Sequence, residues 1–299
     1  MNCNICPRNC KVDRTKQKGY CGCTDLISIS KIMLHHWEEP IISGGETAKG
    51  SGAIFFSGCN LKCVYCQNYE ISAGESKNLA SAKELANIFK KLELMGALNI
   101  NLVTPTHFTK QIIEALKIYK PKIPIIWNSS GYENAKEIKK LKQYVDVYLV
   151  DLKYMDNDLA KTLSNASDYP KQACQTILQM RKNQPIDVIE NGLLEKGLII
   201  RHLVLPNCYE NSVQCLDWIK EKLGENTMVS VMSQYLPCHK ASAYEFINRP
   251  LKPIEYKRIV AYLNKLGFKN GFIQELTSAN KAYIPDFNDL DIFNELIKN

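Results

Sequence analysis

The sequence predicts an α/β protein with a parallel sheet, preceded by a small cysteine-rich segment. From residue 53 onward, short apolar runs alternate with amphipathic stretches of helical period, a pattern typical of βα units. Eight of the twelve cysteines lie within the first 66 residues, in spacings typical of metal ligands. With 299 residues, 45% of them hydrophobic, the chain can bury a sizeable core in one large or two average domains.

The predicted elements alternate regularly along the chain. Strands are predicted at 53–56, 99–104, 123–128, 145–151, 198–204, 228–232 and 271–274. Helices are predicted near 81–95, 108–118, 134–142, 169–182, 211–223 and 253–265. We expect three parts: a cysteine-rich metal-binding segment (1–30), a connecting segment (31–52), and the α/β unit with a C-terminal extension (53–299).

Composition and charge argue against several classes of protein. A formal charge of +7 is compatible with nucleic-acid binding, but the lysines are spread along the predicted helices among Glu and Tyr, which indicates solvated helix faces instead. No apolar run is long enough for a membrane span, and the first residues lack the apolar core of a signal peptide. Clustered thiols also need a reducing compartment. We therefore expect a cytoplasmic protein that binds neither membranes nor nucleic acid.

One loop carries the strongest chemical signal. Cys59, Cys63 and Cys66 follow the apolar run 53–56 in a C-x3-C-x2-C spacing. Thiolates are the usual ligands of a four-iron cluster, and three of them leave one iron open for a small chelating molecule. A zinc knuckle would need a fourth ligand close by, whereas the next histidine is His107. Buried structural thiols have no reason to repeat at this spacing in a polar loop. The loop therefore predicts a catalytic iron–sulfur cluster.

The first residues predict a second metal site. Cys3, Cys6, Cys10 and Cys21 make one complete set of four ligands, and Cys23 is left over. The segment is too small and too rich in turns to have a hydrophobic core of its own, so that a metal is its natural means of folding. A structural zinc ion and an auxiliary iron–sulfur cluster both suit four thiolates. The sequence leaves both open.

Polar side chains stand at or just after the ends of the predicted strands. They are Thr104 and Thr106, Asn128, Ser129 and Ser130, Asp151 and Lys153, and Arg201 and His202. In a parallel sheet the carboxyl ends of the strands meet at one edge, where binding sites usually lie. Each residue alone could equally be a hydrogen-bonded loop residue, but the repetition favours a shared site.

The loop GCNLKCVYCQN resembles the cluster loop of the radical S-adenosylmethionine (SAM) superfamily. Four wider stretches, HWEEP, IFFSG, NLVTPTH and MSQY, resemble homologues of pyruvate formate-lyase activating enzyme. The resemblance implies a partial (β/α)6 TIM-like barrel and a [4Fe-4S] cluster on Cys59, Cys63 and Cys66. It also implies that the open iron chelates SAM, which is cleaved reductively to a 5′-deoxyadenosyl radical. Related proteins carry a similar cysteine-rich start, which supports the four-ligand set there.

By the same resemblance, several residues would contact the SAM nucleoside. Tyr65, before the last loop cysteine, would pack near the adenine. Asn128, Ser129 and Ser130 would contact the ribose.

The amino acid part of SAM would meet the later strand ends and the second strand. Asp151 and Lys153 match an element that organises the SAM carboxylate and a nearby monovalent cation. Arg201 and His202 match a basic strand end that approaches the carboxylate or the ribose. The Gly-Gly-Glu expected after the second strand is replaced by Thr104-Pro105-Thr106-His107, so we expect Thr104 or Thr106 to hold the ammonium group. We expect Asp151, Lys153 and Arg201 to act in SAM binding rather than in the fold.

Three functions follow from these features. The leading one is a radical SAM oxidoreductase of the activating-enzyme type, with a glycyl residue of a partner enzyme as one candidate substrate. The second is a radical SAM enzyme that modifies a peptide side chain or a small metabolite. The third, an iron–sulfur or zinc protein that binds RNA, is disfavoured by the polar strand ends. Either enzyme would need a reductant, such as a flavodoxin or ferredoxin.

Overall fold

One ten-stranded sheet organises the part of the chain that this computed structural model describes, residues 2–45, 47–76, 78–279 and 287. The strands are β1 (Ile27–His35), β2 (Ser51–Phe56), β3 (Leu79–Ala80), β4 (Ile100–Val103), β5 (Ile125–Ser129), β6 (Val147–Asp151), β7 (Val188–Glu190), β8 (Leu193–Leu203), β9 (Met228–Met232) and β10 (Gly271–Ile273). All seven predicted strands are present in the structure. They are β2, β4, β5, β6, β8, β9 and β10.

Helices connect most of these strands. They are α1 (Pro40–Ser43), α2 (Tyr69–Ser72), α3 (Ala82–Leu94), α4 (Thr109–Ile118), α5 (Ala135–Lys140), α6 (Asn157–Ser164), α7 (Tyr169–Asn183), α8 (Tyr209–Leu223) and α9 (Pro253–Leu266). The six predicted helices correspond to α3, α4, α5, α7, α8 and α9. None of the helices in this part of the chain is long and apolar enough to cross a lipid bilayer.

The sheet has the topology of an open barrel. Its order is β10-β9-β8-β6-β5-β4-β2-β1-β3, and each pair from β10 to β2 is parallel. β1 is antiparallel to β2, and the short strands β3 and β7 pair antiparallel with β1 and β8. The order has two ends, so the sheet does not close within the described residues. The predicted partial (β/α) barrel is confirmed.

β1 is the main element that the sequence analysis did not predict. Its run is broken by Ser28, Ser30 and Lys31, which nevertheless are at most 8% exposed. These polar residues obscured the apolar pattern of a strand that is buried on both faces. β1 also crosses the expected boundary between residues 30 and 31, because it belongs to the same sheet as the barrel strands.

The segment after β1 fills the lower part of the barrel interior. Ile41 and Ile42 of α1 pack against Ile126, Leu149 and Ile199 on three neighbouring strands. Alternate residues of a strand point to the same face, so the residues two positions later, Asn128, Asp151 and Arg201, form the next layer toward the carboxyl ends. The barrel interior is therefore apolar below and polar above.

The cysteine-rich segment packs directly on the loop that follows β2. The Cys59 amide donates to the Cys21 carbonyl at 3.2 Å, and the Cys23 thiol donates to the Ser57 carbonyl at 3.2 Å. Gly58 lies between these contacts with φ 77°, and a Cβ there would come within 2.5 Å of the Cys23 sulfur and 2.6 Å of the Cys21 oxygen. The absence of a side chain at this position is what permits the contact.

We predict that Gly58→Ala destabilises the protein more than Gly192→Ala does. Gly192 has nearly the same φ, 79°, but no heavy atom lies within 4 Å of its Cβ position. Both variants incur the left-handed backbone cost of about 1–2 kcal/mol, and Gly58→Ala adds steric overlap of roughly 1–3 kcal/mol. Urea denaturation measures the difference. Equal free energies of unfolding would contradict the close approach at Gly58.

Candidate active site

A cavity of 480 Å³ lies at the carboxyl ends of the parallel strands. Cys59, Cys63 and Cys66 line it from the loop after β2. Of the other residues predicted to contact a ligand, those lining it are Tyr65, Thr104, Asn128, Ser129, Ser130, Asp151, Lys153 and Arg201. The sequence thus predicted correctly that one cavity brings the loop and the strand ends together.

The loop cysteines have the surroundings expected of cluster ligands. Burial raises the pKa of the Cys63 and Cys66 thiols, so that bare thiolates would be costly there without a positive partner. A structural zinc site usually takes four protein ligands. In a four-iron cluster each thiolate binds a different iron, and three thiolates leave one iron open. The donor set of three thiols in one loop therefore fits a cluster with an open iron.

Four thiols of the cysteine-rich segment share one neighbourhood. Burial and the neighbouring Cys10 thiol raise the pKa of Cys3, and burial together with Cys3 and Cys21 raises the pKa of Cys6, so these thiols lie close enough to influence one another. The Cys10 and Cys21 sulfurs both lie 3.5 Å from the Cβ position of Gly19. Cys23 instead contacts Cys21 and the Ser57 carbonyl, which links the segment to the loop after β2.

Arg201 is the centre of a polar network inside the barrel. Its Nε donates to Asp151 Oδ1 at 3.0 Å, its Nη1 to Glu38 Oε2 at 3.0 Å, and its Nη2 to Asn128 Oδ1 at 2.6 Å. Lys153 Nζ donates to the other Asp151 oxygen at 2.6 Å. Burial raises the pKa of the Asp151 carboxyl, but the charges of Lys153 and Arg201 outweigh burial and hold it below its usual value.

Glu38 is the network residue that the sequence analysis missed. Its Oε1 accepts hydrogen bonds from Asn101 Nδ2 at 2.9 Å and Asn128 Nδ2 at 3.1 Å, in addition to the ion pair with Arg201. Glu38 precedes the barrel in sequence, in the stretch expected to be a connector. The signal was present in the HWEEP stretch, where two carboxylates stand directly before the apolar turn of α1.

This network changes the interpretation of two predicted roles. Arg201 was expected to act in ligand binding rather than in the fold, but three of its five N–H groups are engaged by the protein. Asp151 was expected beside a monovalent cation, but both of its oxygens already contact cationic side chains. Lys153 and Arg201 thus supply positive charge to Asp151 in the described contacts, and an additional monovalent cation there stays a prediction.

Thr106 and His202 do not line the cavity, so their predicted ligand contacts are corrected. The Thr106 hydroxyl donates to Glu133 Oε1 at 2.8 Å. The His202 ring nitrogens lie 2.7 Å from the Leu152 carbonyl and 2.8 Å from the Ser212 hydroxyl. His202 faces away from the cavity, because successive side chains of a strand point to opposite faces and Arg201 points inward.

Thr104 lies on the cavity wall in a strained conformation. Its φ of 61° is left-handed, which is rare for a β-branched residue. Its amide donates to the Asn128 carbonyl at 2.9 Å, at the end of the parallel pairing of β4 and β5. Such strain persists where surrounding structure imposes it and is frequent at functional sites. Of the two threonines considered for the SAM ammonium group, only Thr104 lines the cavity.

Comparison with known proteins identifies the family. Residues 53–197 match the family model of the Radical SAM superfamily. The chain belongs to the radical SAM superfamily. Membership implies an enzyme with a [4Fe-4S] cluster and SAM, in agreement with the resemblance found in the sequence.

Relatives with curated sequences are similar over much of the chain. The uncharacterized protein MJ0674 of Methanocaldococcus jannaschii is 34% identical over an alignment of 277 residues that covers 88% of this chain and 75% of that protein. The pyruvate formate-lyase-activating enzyme of Clostridium pasteurianum is 26% identical over 166 residues, 51% of this chain and 61% of that enzyme.

Solved structures of radical SAM enzymes are more distant. The crystal structure of Streptococcus suis SuiB bound to precursor peptide SuiA has a TM-score of 0.49 and 17% identity, covering 81% of this chain and 52% of that chain. Methylornithine synthase (PylB) has a TM-score of 0.47 and 17% identity, covering 72% and 60%. The chain thus spans about half of the SuiB structure.

We predict that Arg201→Met destabilises the radical SAM protein in the absence of any ligand. The Arg201 side chain is 14% exposed, and its loss leaves Glu38 without a cationic partner. Breaking a buried pair in this way typically costs about 3–5 kcal/mol. Adding Glu38→Gln should recover part of this loss, because it removes the carboxylate that Arg201→Met leaves unpaired. Asp151 remains paired with Lys153 in both variants.

Urea denaturation of the two variants tests this double-mutant relation. Lys220→Met is the control, because its pair with Glu225 is more exposed, at 30% and 43%, and should contribute about 1 kcal/mol or less. If Arg201→Met unfolds like the wild type, Arg201 is free for ligands and the network does not stabilise the fold.

Proposed function

We propose that this protein cleaves SAM reductively at a [4Fe-4S] cluster held by Cys59, Cys63 and Cys66. The observation that supports this most is the shared cavity, in which the three loop thiols face the polar ends of β5, β6 and β8. When bound, the cluster and SAM supply the chemistry: one electron from an external reductant splits SAM into methionine and a 5′-deoxyadenosyl radical, which abstracts hydrogen from a substrate. A flavodoxin or ferredoxin is a suitable electron donor.

The chain's own residues would bind and orient SAM. Lys153 Nζ donates one hydrogen bond to Asp151, and its two remaining N–H groups can donate to the SAM carboxylate. Tyr65, 4% exposed, offers a ring face on the cavity wall for the adenine. Thr104 and the Ser130 loop offer hydroxyl and backbone groups for the ammonium group and the ribose. The buried wall would also keep water away from the radical.

The substrate that this cavity favours is neutral and rich in amides. Its charged lining residues, Glu38, Asp151, Lys153 and Arg201, are paired with one another. Much of the remaining polar lining is neutral: Gln67, Asn68, Gln234, Gln274 and Ser278. A buried charge needs a partner, whereas side-chain amides both donate to and accept from a peptide backbone. We therefore favour a peptide or protein segment over a charged small metabolite.

A glycyl residue of a partner enzyme is one such segment. The relative from Clostridium pasteurianum is by name an activating enzyme for pyruvate formate-lyase, which supports this candidate. Modification of a side chain within a peptide is the second candidate and uses the same amide-lined wall. Hydrogen abstraction is common to both, and the described residues favour neither.

We also propose that Cys3, Cys6, Cys10 and Cys21 hold a second metal centre, either zinc or an auxiliary cluster. Their shared neighbourhood supports this, and so does the lack of an independent core in the segment. A centre there would fix the backbone that contacts the catalytic loop through Cys21 and Cys23. The proposed division into segments 1–30, 31–52 and 53–299 remains a prediction, with β1 shared between the first two.

We predict that replacing Cys59, Cys63 and Cys66 together with Ala abolishes SAM cleavage. Anaerobically reconstituted protein with dithionite as the electron donor is assayed for 5′-deoxyadenosine and for a SAM-dependent change in the paramagnetic resonance of the reduced cluster. A matched variant carries Ala at Cys174, Cys208 and Cys215, which lie outside the cavity lining, and should retain both signals. SAM-perturbed cluster signals in the first variant would overturn the assignment.

Metal remaining in that triple variant should belong to the cysteine-rich segment. We expect about one zinc ion or residual iron per chain, as for a single site of four thiolates. Additional replacement of Cys6 and Cys21 with Ala should remove it and lower the melting temperature, since metal binding and folding are coupled in such segments. Elemental analysis that finds neither metal in the triple variant would contradict a second centre.

A further inference from the structure

Two sulfurs of the catalytic loop accept a hydrogen bond from described residues. The Leu61 amide lies 3.3 Å from Cys59 Sγ, and this donor belongs to the backbone of the loop itself. The donor to Cys63 is different: it is the side-chain hydroxyl of Ser164, at 3.2 Å, from the last residue of α6.

Ser164 is the first member of a chain of buried hydroxyl groups. Its Oγ lies 2.9 Å from the Tyr154 hydroxyl, which lies 2.6 Å from the hydroxyl of Tyr65. Ser164, Tyr154 and Tyr65 are 1%, 0% and 4% exposed, so water does not compete for these bonds. The chain runs from the wall of the ligand cavity to the sulfur of Cys63.

The chemistry of Cys63 fixes the direction of every bond in this chain. A cysteine that ligates iron is a thiolate, which accepts hydrogen bonds and has none to donate. Ser164 must then donate to Cys63, Tyr154 to Ser164, and Tyr65 to Tyr154. In this direction each hydroxyl donates once, and the hydrogen bonds polarise one another along the chain.

The backbone around Ser164 holds the hydroxyl against the loop. The Val64 amide donates to the Leu163 carbonyl at 2.9 Å, and Arg8 Nη2 donates to the Ser164 carbonyl at 2.9 Å. Arg8 Nε also donates to the Asn60 carbonyl at 2.7 Å. The position of Ser164 is therefore set by the loop and the cysteine-rich segment, and not by its bond to sulfur alone.

We propose that Ser164 raises the reduction potential of the catalytic cluster by donating to Cys63, with Tyr154 and Tyr65 keeping its hydroxyl aimed at the sulfur. A hydrogen bond to a ligand sulfur reduces the electron density that the thiolate gives to iron, and thereby favours the reduced cluster. Ser164 is a positioning and tuning residue, since it contacts a ligand of the cluster and not SAM. This inference rests on the proposed function, because it needs a cluster on Cys63.

The test is the reduction potential of the reconstituted cluster, measured without SAM by paramagnetic resonance at a series of applied potentials. Ser164→Ala should make the potential more negative, by up to about a tenfold change in the reduction equilibrium, or about 59 mV for one electron. Ser164→Thr keeps the hydroxyl and should lie close to the wild type. Tyr154→Phe should shift the potential in the same direction by a smaller amount, because Ser164 still donates but loses its orienting partner.

Ser212→Ala is the matched control for the loss of a buried serine hydroxyl. Ser212 is 0% exposed and contacts His202 at 2.8 Å, away from the loop. This variant should lose stability without any change in potential. An unchanged potential in Ser164→Ala, with iron content equal to the wild type, would overturn the inference while leaving the proposed function intact. A wild-type protein that forms no cluster on the loop cysteines would instead overturn the proposed function. If Ser164→Ala retains no iron, the comparison of Tyr154→Phe with wild type decides the outcome by the same criterion.

Discussion

A guanidinium group inside the barrel is the constraint on which the arrangement of the interior depends. Arg201 points inward from β8 because Ile199, two residues earlier, packs in the apolar layer below it. A buried cation needs anionic partners. The neighbouring strand β6 supplies one carboxylate, Asp151, which is also paired with Lys153. The second carboxylate, Glu38, comes from the segment between β1 and α1. Ion pairing thus joins an N-terminal segment to the interior of a barrel that follows it in sequence.

A second set of contacts joins the cysteine-rich segment to the catalytic loop. Arg8 donates to the carbonyl oxygens of Asn60, Leu61, Ser164 and Asn165, and its guanidinium lies over the rings of Tyr20 and Tyr132. Loop carbonyls without such a donor would be left without a partner in a poorly hydrated region. One side chain from the first ten residues therefore holds both the loop backbone before Cys63 and the end of α6, whose Ser164 donates to Cys63. The segment is part of the support of the active site, as well as a candidate metal centre.

The sequence predicted the parts of this protein that repeat and missed those that depend on a single tertiary contact. The βα alternation gave the barrel strands and helices, and the thiol spacing gave the loop. Strand-end positions correctly placed Asp151, Lys153 and Arg201 at one cavity, because parallel strands share an edge. Strand-end position alone did not distinguish these residues from Thr106 and His202, which do not line the cavity. Thr106 donates to Glu133, and His202 points to the outer face of β8 because successive side chains of a strand alternate. Glu38 and Ser164 lie outside any repeating pattern, so only the folded chain shows that they reach Arg201 and Cys63.

The ion pairs in the cavity limit the effect of wall charges on the reduction potential of the cluster. Glu38 and Asp151 are compensated by Arg201 and Lys153, so the wall contributes little net charge to the field at the loop. Lys153 does act on the Cys63 thiol, whose pKa burial raises and the lysine charge lowers, but its own ion pair with Asp151 reduces that effect. With long-range charge largely balanced, hydrogen bonds to the sulfurs become the main local means of setting a reduction potential. The Leu61 amide, which donates to Cys59, comes with the fold of the loop. The hydroxyl of Ser164 is a side-chain donor on α6, so a single substitution can remove it without altering the residues that line the cavity.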